Sequence, residues 1–94
     1  TTASLLVQEN ADPDVQSDLL ASLDRLAPRG ARYRHAQEGP DDMPAHIRAM
    51  LSETSVTLPV RAGRLALGTW QSLYLVEHRD GGRARTVTLA YLGA

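Results

Sequence analysis

The sequence predicts an α+β protein in which two helices precede a run of antiparallel strands. Two observations indicate this class. Residues 13–26 place apolar side chains at helical spacing behind a capping pair, and residues 54–92 alternate apolar and polar side chains in short runs separated by glycine turns. A chain of 94 residues has the length of one domain, so we assign residues 1–94 to a single domain.

The N-terminal half predicts one strand and two helices. Residues 3–8 form a short apolar run, which is typical of a buried strand. Asp12 and Pro13 are residue types preferred at the N-cap and at the first helical position, so the first helix begins there and runs to about residue 26. Pro44 suits the first turn of a second helix over about 44–51, because the missing N–H has no intrahelical partner there.

The C-terminal half predicts a run of strands. We expect strands over 54–60, 65–69, 70–78 and 85–92. Pro59 favours an edge position for the first of these, and Gly68 indicates a bend or bulge in the second. The sequence Asp80-Gly81-Gly82 predicts a hairpin turn that would bring the last strand back antiparallel.

Composition narrows the classes of function. The net charge of −1 argues against nucleic-acid binding driven by bulk positive charge. The absence of cysteine excludes disulfides and thiolate metal sites. All ten basic residues are arginines, which bind phosphate or carboxylate through two parallel hydrogen bonds. No apolar run is long enough to span a bilayer and no signal peptide is visible, so we expect a cytoplasmic protein with no membrane partner.

The ionisable side chains are concentrated in residues 33–47. This stretch holds two of the three histidines and three carboxylates, namely His35, His46, Glu38, Asp41 and Asp42. The Gly39-Pro40 turn can bring the two imidazoles together by reversing the chain. Imidazole suits zinc and carboxylate suits magnesium or calcium, so we expect a site for a divalent metal, for phosphate, or for both.

A purely structural interpretation of this stretch remains open. Each histidine would then form a hydrogen bond across the loop, and the acids would cap the second helix. Capping accounts for one of Asp41 and Asp42, but two adjacent acids repel each other, and a cation or an arginine nearby would offset that repulsion.

Three other groups of polar residues are candidates for a site. Glu9 and Asn10 follow the first strand, where they belong either to a site or to a solvated turn. Trp70 and Gln71 follow the Gly68 bend and can line a pocket. Glu77 is explained most simply by an ion pair with Arg79 or Arg85.

Five segments together resemble a known family. They are Thr-Thr-Ala-Ser at 1–4, Glu-Asn-Ala-Asp-Pro-Asp-Val at 9–15, His-x-x-x-Gly-Pro-Asp-Asp-Met-Pro-Ala-His-Ile at 35–47, Gly-Arg-Leu-x-Leu-Gly-Thr-Trp-Gln at 63–71 and Glu-His-Arg at 77–79. The chain resembles the YjbQ-like family, also called secondary thiamine-phosphate synthase. Members of that family carry further N-terminal strands, with a histidine just before the Thr-Thr-x-Ser motif, that this sequence lacks. Position 72 is Ser where many relatives have glycine.

The resemblance implies a β-sandwich-like antiparallel sheet, a homotrimer and thiamine-phosphate synthase activity. In that reaction a pyrimidine methyl diphosphate and a thiazole phosphate condense with release of pyrophosphate. On this basis we assign catalytic roles to Glu9, Asp42 and Gln71, ligand-binding roles to Asn10, Asp41, Arg48, Trp70 and Glu77, and a zinc or magnesium site to His35 and His46. Arg34, Arg64 and Arg79 are further candidates for binding a small phosphorylated substrate. The alternatives are another metal-dependent enzyme, such as a phosphohydrolase, and a non-catalytic trimeric ligand-binding module.

Overall fold

The computed structural model describes residues 1–93 and contains two helices and four strands. Their bounds are β1 Ala3–Gln8, α1 Pro13–Leu26, α2 Asp42–Met50, β2 Val60–Arg61, β3 Arg64–Leu65 and β4 Ser72–Glu77. Both helices lie between β1 and β2, and every strand pair is antiparallel, which confirms the predicted α+β class. The strands form two separate two-stranded sheets.

The larger sheet joins the start of the chain to its last strand. β1 runs antiparallel to β4, with Ala3 opposite Glu77 and Gln8 opposite Ser72. The smaller sheet is a hairpin of β2 and β3 whose turn holds Ala62 at φ 52° and Gly63 at φ 74°. The larger sheet positions the site, because α2 packs against β1 and the chain leaving β4 returns to the start of α2.

The first helix is confirmed in its bounds and in its cap. Asp12 lies outside the helix with extended backbone, and its Oδ1 accepts a hydrogen bond from the Asp14 N–H at 2.8 Å. Pro13 occupies the first helical position, where it has no N–H to satisfy. The local sequence therefore determines where α1 begins.

Replacing Asp12 with alanine is expected to lower the free energy of unfolding by about 1 kcal/mol, because the cap acceptor is lost. Urea denaturation of the two proteins measures this difference. Asp18→Ala is the matched control, since Asp18 lies on the exposed side of the same helix. An equal loss in both variants would show that the cap does not stabilise the protein.

The strand predicted over 85–92 is wrong, because this segment pairs with no strand within the described part of the chain. The predicted Asp80-Gly81-Gly82 hairpin is likewise not formed, because no strand follows it within residues 1–93. β1 already pairs with β4, and the pairing continues past its end where the His78 N–H donates to the Thr2 carbonyl at 3.0 Å. Asp80 instead contacts the start of α2 and an arginine of the preceding loop.

The other predicted strands are shorter than expected. Only Val60 of the segment 54–60 is paired, and β3 ends at Leu65. β4 begins at Ser72, two residues after the predicted start, because Gln71 closes a turn with Gly68. The second helix begins two residues before its predicted start and ends one residue before its predicted end.

The apolar core of the described chain is small. Its buried apolar residues are Ala3, Ala27, Pro44 and Ala45, whereas large side chains on α1 and beyond β4 are exposed. The radius of gyration is 15.6 Å, compared with about 12 Å for a compact domain of this length. Within residues 1–93, neither helix has the length and apolar character needed to cross a membrane.

Candidate metal centre

The start of α2 positions three of the predicted site residues. Gly39 adopts φ 104°, a conformation that favours glycine, and the chain reverses there. Asp42 opens the helix and His46 lies one turn later, so both side chains share one face. His35 reaches the same face from the loop before the turn. The reversal therefore brings together the two imidazoles, as the sequence predicts.

Asp42 is the centre of the resulting cluster. Its Oδ2 lies 2.7 Å from His35 Nε2 and 3.1 Å from His46 Nε2. The two imidazole centroids are 5.5 Å apart at an interplanar angle of 70°. Glu38 completes the group, with its Oε2 3.7 Å from His35 Nε2. Asp42 is buried whereas both imidazoles are about half exposed, so solvent reaches the cluster from one side.

The donor atoms of this cluster suit a divalent cation. One ligand atom from each of His35, Glu38, Asp42 and His46 lies within 4.8 Å of the others. Ligands of tetrahedral zinc lie about 2.0–2.3 Å from the metal, hence about 3.3–3.7 Å from one another, so small side-chain rotations are sufficient. Two imidazoles favour zinc, and a carboxylate-rich set favours magnesium.

Arg79 neutralises the acidic pair beside this cluster. Its guanidinium donates to Asp42 Oδ1, to Asp41 Oδ1 at 3.1 Å and to the Glu38 carbonyl at 3.2 Å. The remaining Asp41 oxygen accepts the Asp80 N–H at 3.1 Å. Capping is predicted for one of Asp41 and Asp42; Asp41 occupies the N-cap position of α2, but its side chain makes no cap hydrogen bond. The adjacent acids are held by an arginine instead.

These contacts favour the ionised carboxylates. Burial acts to raise the pKa of Asp42, but the hydrogen bond with His35 and the charges of His46 and Arg79 outweigh burial and hold it below its usual value. The pKa of Asp41 is lowered chiefly by the Asp80 N–H and also by Arg79. Asp41 and Asp42 are thus ionised at neutral pH, and an ionised Asp42 suits a cation.

Two other predicted ligand-binding residues form ion pairs elsewhere. Arg48 lies 2.7 Å from Asp24 Oδ1 on α1. Glu77 accepts from Arg85 Nε at 3.0 Å, and Arg85 also donates to Thr2 Oγ1 at 2.8 Å. The Arg85 hydrogen bond is the main cause that lowers the pKa of Glu77. The simpler interpretation of Glu77 as an ion-pair partner therefore describes its place in the structure.

The remaining four predicted site residues form no hydrogen bond or ion pair with the cluster within residues 1–93. Glu9 is exposed, and Trp70 has 72% of its surface exposed. Gln71 uses its Oε1 to accept the Gly68 N–H at 2.6 Å. Asn10 accepts from Gln16 Nε2 through its backbone carbonyl, and its buried Oδ1 has no partner among the described residues.

Sequence reasoning missed a buried hydrogen-bond chain at the other end of α2. Ser4 Oγ lies 2.7 Å from His78 Nε2 and 2.6 Å from Ser52 Oγ, and Ser52 donates to the Arg48 carbonyl at 2.7 Å. Because Ser52 uses its proton on that carbonyl, Ser4 donates to Ser52 and His78 donates to Ser4. His78 thus carries a proton on Nε2, and its burial favours the neutral ring by lowering the pKa. The chain ties α2 to β1 and to the end of β4. No local sequence signal indicates contacts across 48 and 74 residues.

The stability of the protein is expected to fall as the pH drops below about 6.5, in part because of His78. Burial lowers the pKa of His78 from its ordinary value of 6.5, with a further contribution from Arg48. The unfolded chain therefore takes up this proton first, and the stabilisation present above pH 6.5 is lost as the pH falls through the folded-state pKa. Urea denaturation at several pH values measures the effect. Between pH 6.5 and pH 5, the free energy of unfolding of His78→Gln should fall less steeply with decreasing pH than that of the unaltered protein. An equally steep fall in both proteins would contradict this role of His78.

Fold and site together define an α+β protein with a histidine–carboxylate cluster at the start of its second helix. The whole chain, residues 1–94, matches the family described as UPF0047 protein YjbQ-like, and the chain belongs to that family. This result confirms the resemblance found in the sequence motifs.

Relatives of known sequence or structure agree with this membership. A UPF0047 protein of Synechocystis is 53% identical over 94 residues, covering 99% of this chain and 64% of the relative. The UPF0047 protein YjbQ of Salmonella typhimurium is 45% identical over 93 residues, covering 99% of this chain and 67% of the relative. The chain thus spans about two thirds of the length of these relatives.

Solved structures show the same fold. A conserved hypothetical protein of Thermus thermophilus has a TM-score of 0.74 and 41% identity over 85% of this chain and 62% of its own. A YjbQ/UPF0047 family protein of Clostridium acetobutylicum has a TM-score of 0.73 and 39% identity, covering 84% of this chain and 59% of its own.

Proposed function

We propose that this protein is a secondary thiamine-phosphate synthase-like enzyme with a divalent metal at the His35–Asp42–His46 cluster. The substrates would be a pyrimidine methyl diphosphate and a thiazole phosphate, and pyrophosphate would be released. The observation that carries the proposal is the contact of one buried carboxylate, Asp42, with two imidazoles and an arginine. This arrangement gathers the groups needed to hold a cation next to a phosphorylated substrate.

The chemistry requires stabilisation of a leaving diphosphate. As the new bond to the thiazole forms, the carbon–oxygen bond to the diphosphate breaks and its electron pair leaves with pyrophosphate. A bound zinc or magnesium ion supplies charge stabilisation for such an anion. His35 and His46 would hold the metal, and Asp42 would either bind it or orient the imidazoles.

The rest of the cluster prepares this site. Arg79 holds Asp42 through Oδ1, whereas the two imidazoles contact Oδ2, so the arginine does not compete with them for the same oxygen. The exposed sides of His35 and His46 leave the substrate a route to the site. Glu38 is exposed beside His35, where it can act as a further ligand or meet solvent.

An assay on the full-length protein tests the proposal. Thiamine phosphate should form from the two substrates, should fall after chelation of divalent metals, and should be lost in His35→Ala and His46→Ala. Metal analysis of the same variants should show loss of the bound ion. Unchanged metal content in both variants would defeat the metal assignment, and absence of product from the intact protein would defeat the reaction.

A metal-dependent phosphohydrolase is the second candidate. The half-exposed imidazoles favour it, since water can reach the cluster. Comparison of turnover on a panel of phosphate esters with turnover in the synthase assay distinguishes the two. Much faster ester hydrolysis would make the synthase reaction a side activity.

A homotrimer is also part of the proposal. Its support is the exposure of large apolar side chains, such as Leu89 at 85% and Tyr91 at 69%, together with the segment 83–93 that has no strand partner among the described residues. Light scattering on the full-length protein measures the assembly. A monomer in solution would show that other parts of the polypeptide cover these side chains.

A further inference from the structure

A cavity of about 460 Å³ lies beside the candidate metal centre, between the loop after α1 and the turn before α2. His35 forms part of its wall and also contacts Asp42 at 2.7 Å. A molecule in the cavity would therefore touch a residue of the candidate metal centre.

The charged side chains of the cavity wall are positive. Arg29 and Arg32 line it and no carboxylate does. Arg32 has no carboxylate partner within residues 1–93. Arg29 lies 2.6 Å from Asp80, but both side chains are about half exposed. Such an exposed ion pair contributes little to stability, so Arg29 can exchange its partner for a ligand at small cost. Arg32, together with Arg29 once it has left Asp80, gives the cavity two guanidinium groups that suit a phosphoryl group.

Apart from His35, the remainder of the wall is apolar. Pro40 and Met43 contribute apolar surface, and Tyr33 contributes its ring. The Tyr33 hydroxyl donates to the Pro28 carbonyl at 2.7 Å, so the ring is held in place by the loop itself. A fixed aromatic wall suits a flat apolar group. The cavity therefore matches the body of an organic molecule as well as its phosphate.

We propose that this cavity binds an organic phosphate monoester with a flat apolar body. The phosphoryl group contacts Arg29 and Arg32, and the body lies against Tyr33, Pro40 and Met43. The inference deepens the proposed function, because it assigns the phosphorylated substrate a place next to His35. The charge and shape of the cavity do not depend on a bound metal. An experiment can therefore disprove metal binding at the cluster without disproving ligand binding in the cavity, and the reverse.

Calorimetric titration of the full-length protein tests this site. Phenylphosphonate serves as the probe, because its carbon–phosphorus bond resists hydrolysis, and inorganic phosphate and benzyl alcohol serve as partial probes. Phenylphosphonate is expected to bind at least about tenfold more tightly than either partial probe. Arg32→Gln should weaken its binding by about tenfold or more, since a charge-assisted hydrogen bond is lost. Arg83→Gln is the matched control, because Arg83 is exposed and lies outside the cavity.

Several outcomes would overturn the inference. Equal binding of phenylphosphonate by the unaltered protein and by Arg32→Gln would exclude the arginine contact. Binding of inorganic phosphate as tight as that of phenylphosphonate would exclude the apolar contact, and this comparison needs no variant. Zinc affinity should be the same in Arg32→Gln and the unaltered protein. Phenylphosphonate binding without any metal binding would preserve this inference and remove the metal from the proposed function.

Discussion

Asp42→Asn is expected to lower the affinity for a divalent metal by about 10- to 100-fold, the largest effect that we expect on the site. The carboxylate contacts both imidazoles through Oδ2 and Arg79 through Oδ1. An amide has one acceptor oxygen, so its NH₂ group would face either the imidazoles or the guanidinium donor. Both orientations disturb the metal ligands, and calorimetric titration with zinc and with magnesium measures the loss.

Asp41→Asn is the matched control for this substitution. Asp41 precedes Asp42 and also contacts Arg79, but it makes no contact with either imidazole. Its metal affinity should stay within a few fold of that of the unaltered protein. If the two variants bound metal equally well, the contact of Asp42 with the imidazoles would have no bearing on metal binding.

Arg79→Met is expected to produce the largest loss of stability, greater than that of Asp12→Ala. The guanidinium is mostly buried against Asp41 and Asp42, and its removal leaves two adjacent carboxylates without their cation. Urea denaturation at neutral pH measures the difference in the free energy of unfolding. Arg83→Met, at an exposed position, controls for the loss of one arginine.

Two further properties separate this electrostatic role of Arg79 from a packing role. Loss of the arginine raises the pKa of both carboxyl groups, so the destabilisation should shrink as the pH falls below the ordinary aspartate value of 3.8. Added zinc should restore part of the lost stability at neutral pH, because a bound cation offsets the same repulsion. A deficit that is independent of both pH and zinc would indicate lost packing alone.

The parts of the fold that could be predicted are those that depend on neighbouring residues. Asp12 and Pro13 determine the start of α1 directly, and the reversal at Gly39 brings His35 and His46 together. The capping pair and the glycine turn each act on residues that lie within about a dozen positions along the chain. The clustering of the imidazoles with Asp42 followed from the same turn.

The parts that could not be predicted depend on distant residues. The arginine that contacts Asp42 is Arg79, 37 residues away. The sequence indicated only that a cation or an arginine would offset the repulsion between the two adjacent acids. The strand expected over 85–92 has suitable alternation, but within residues 1–93 it pairs with neither edge of the larger sheet. Alternation shows that a segment can form a strand, whereas the competition for a pairing edge is decided by the whole fold.

A crystal structure of the full-length protein soaked in zinc, with anomalous scattering data, tests the central claim most directly. We predict a peak within about 2.0–2.2 Å of a ring nitrogen of both His35 and His46, with a carboxylate of Asp42 or Glu38 beside it. A zinc ion bound elsewhere, or crystals without zinc in which both imidazoles keep their hydrogen bonds to Asp42, would contradict the assignment of this cluster as a metal centre.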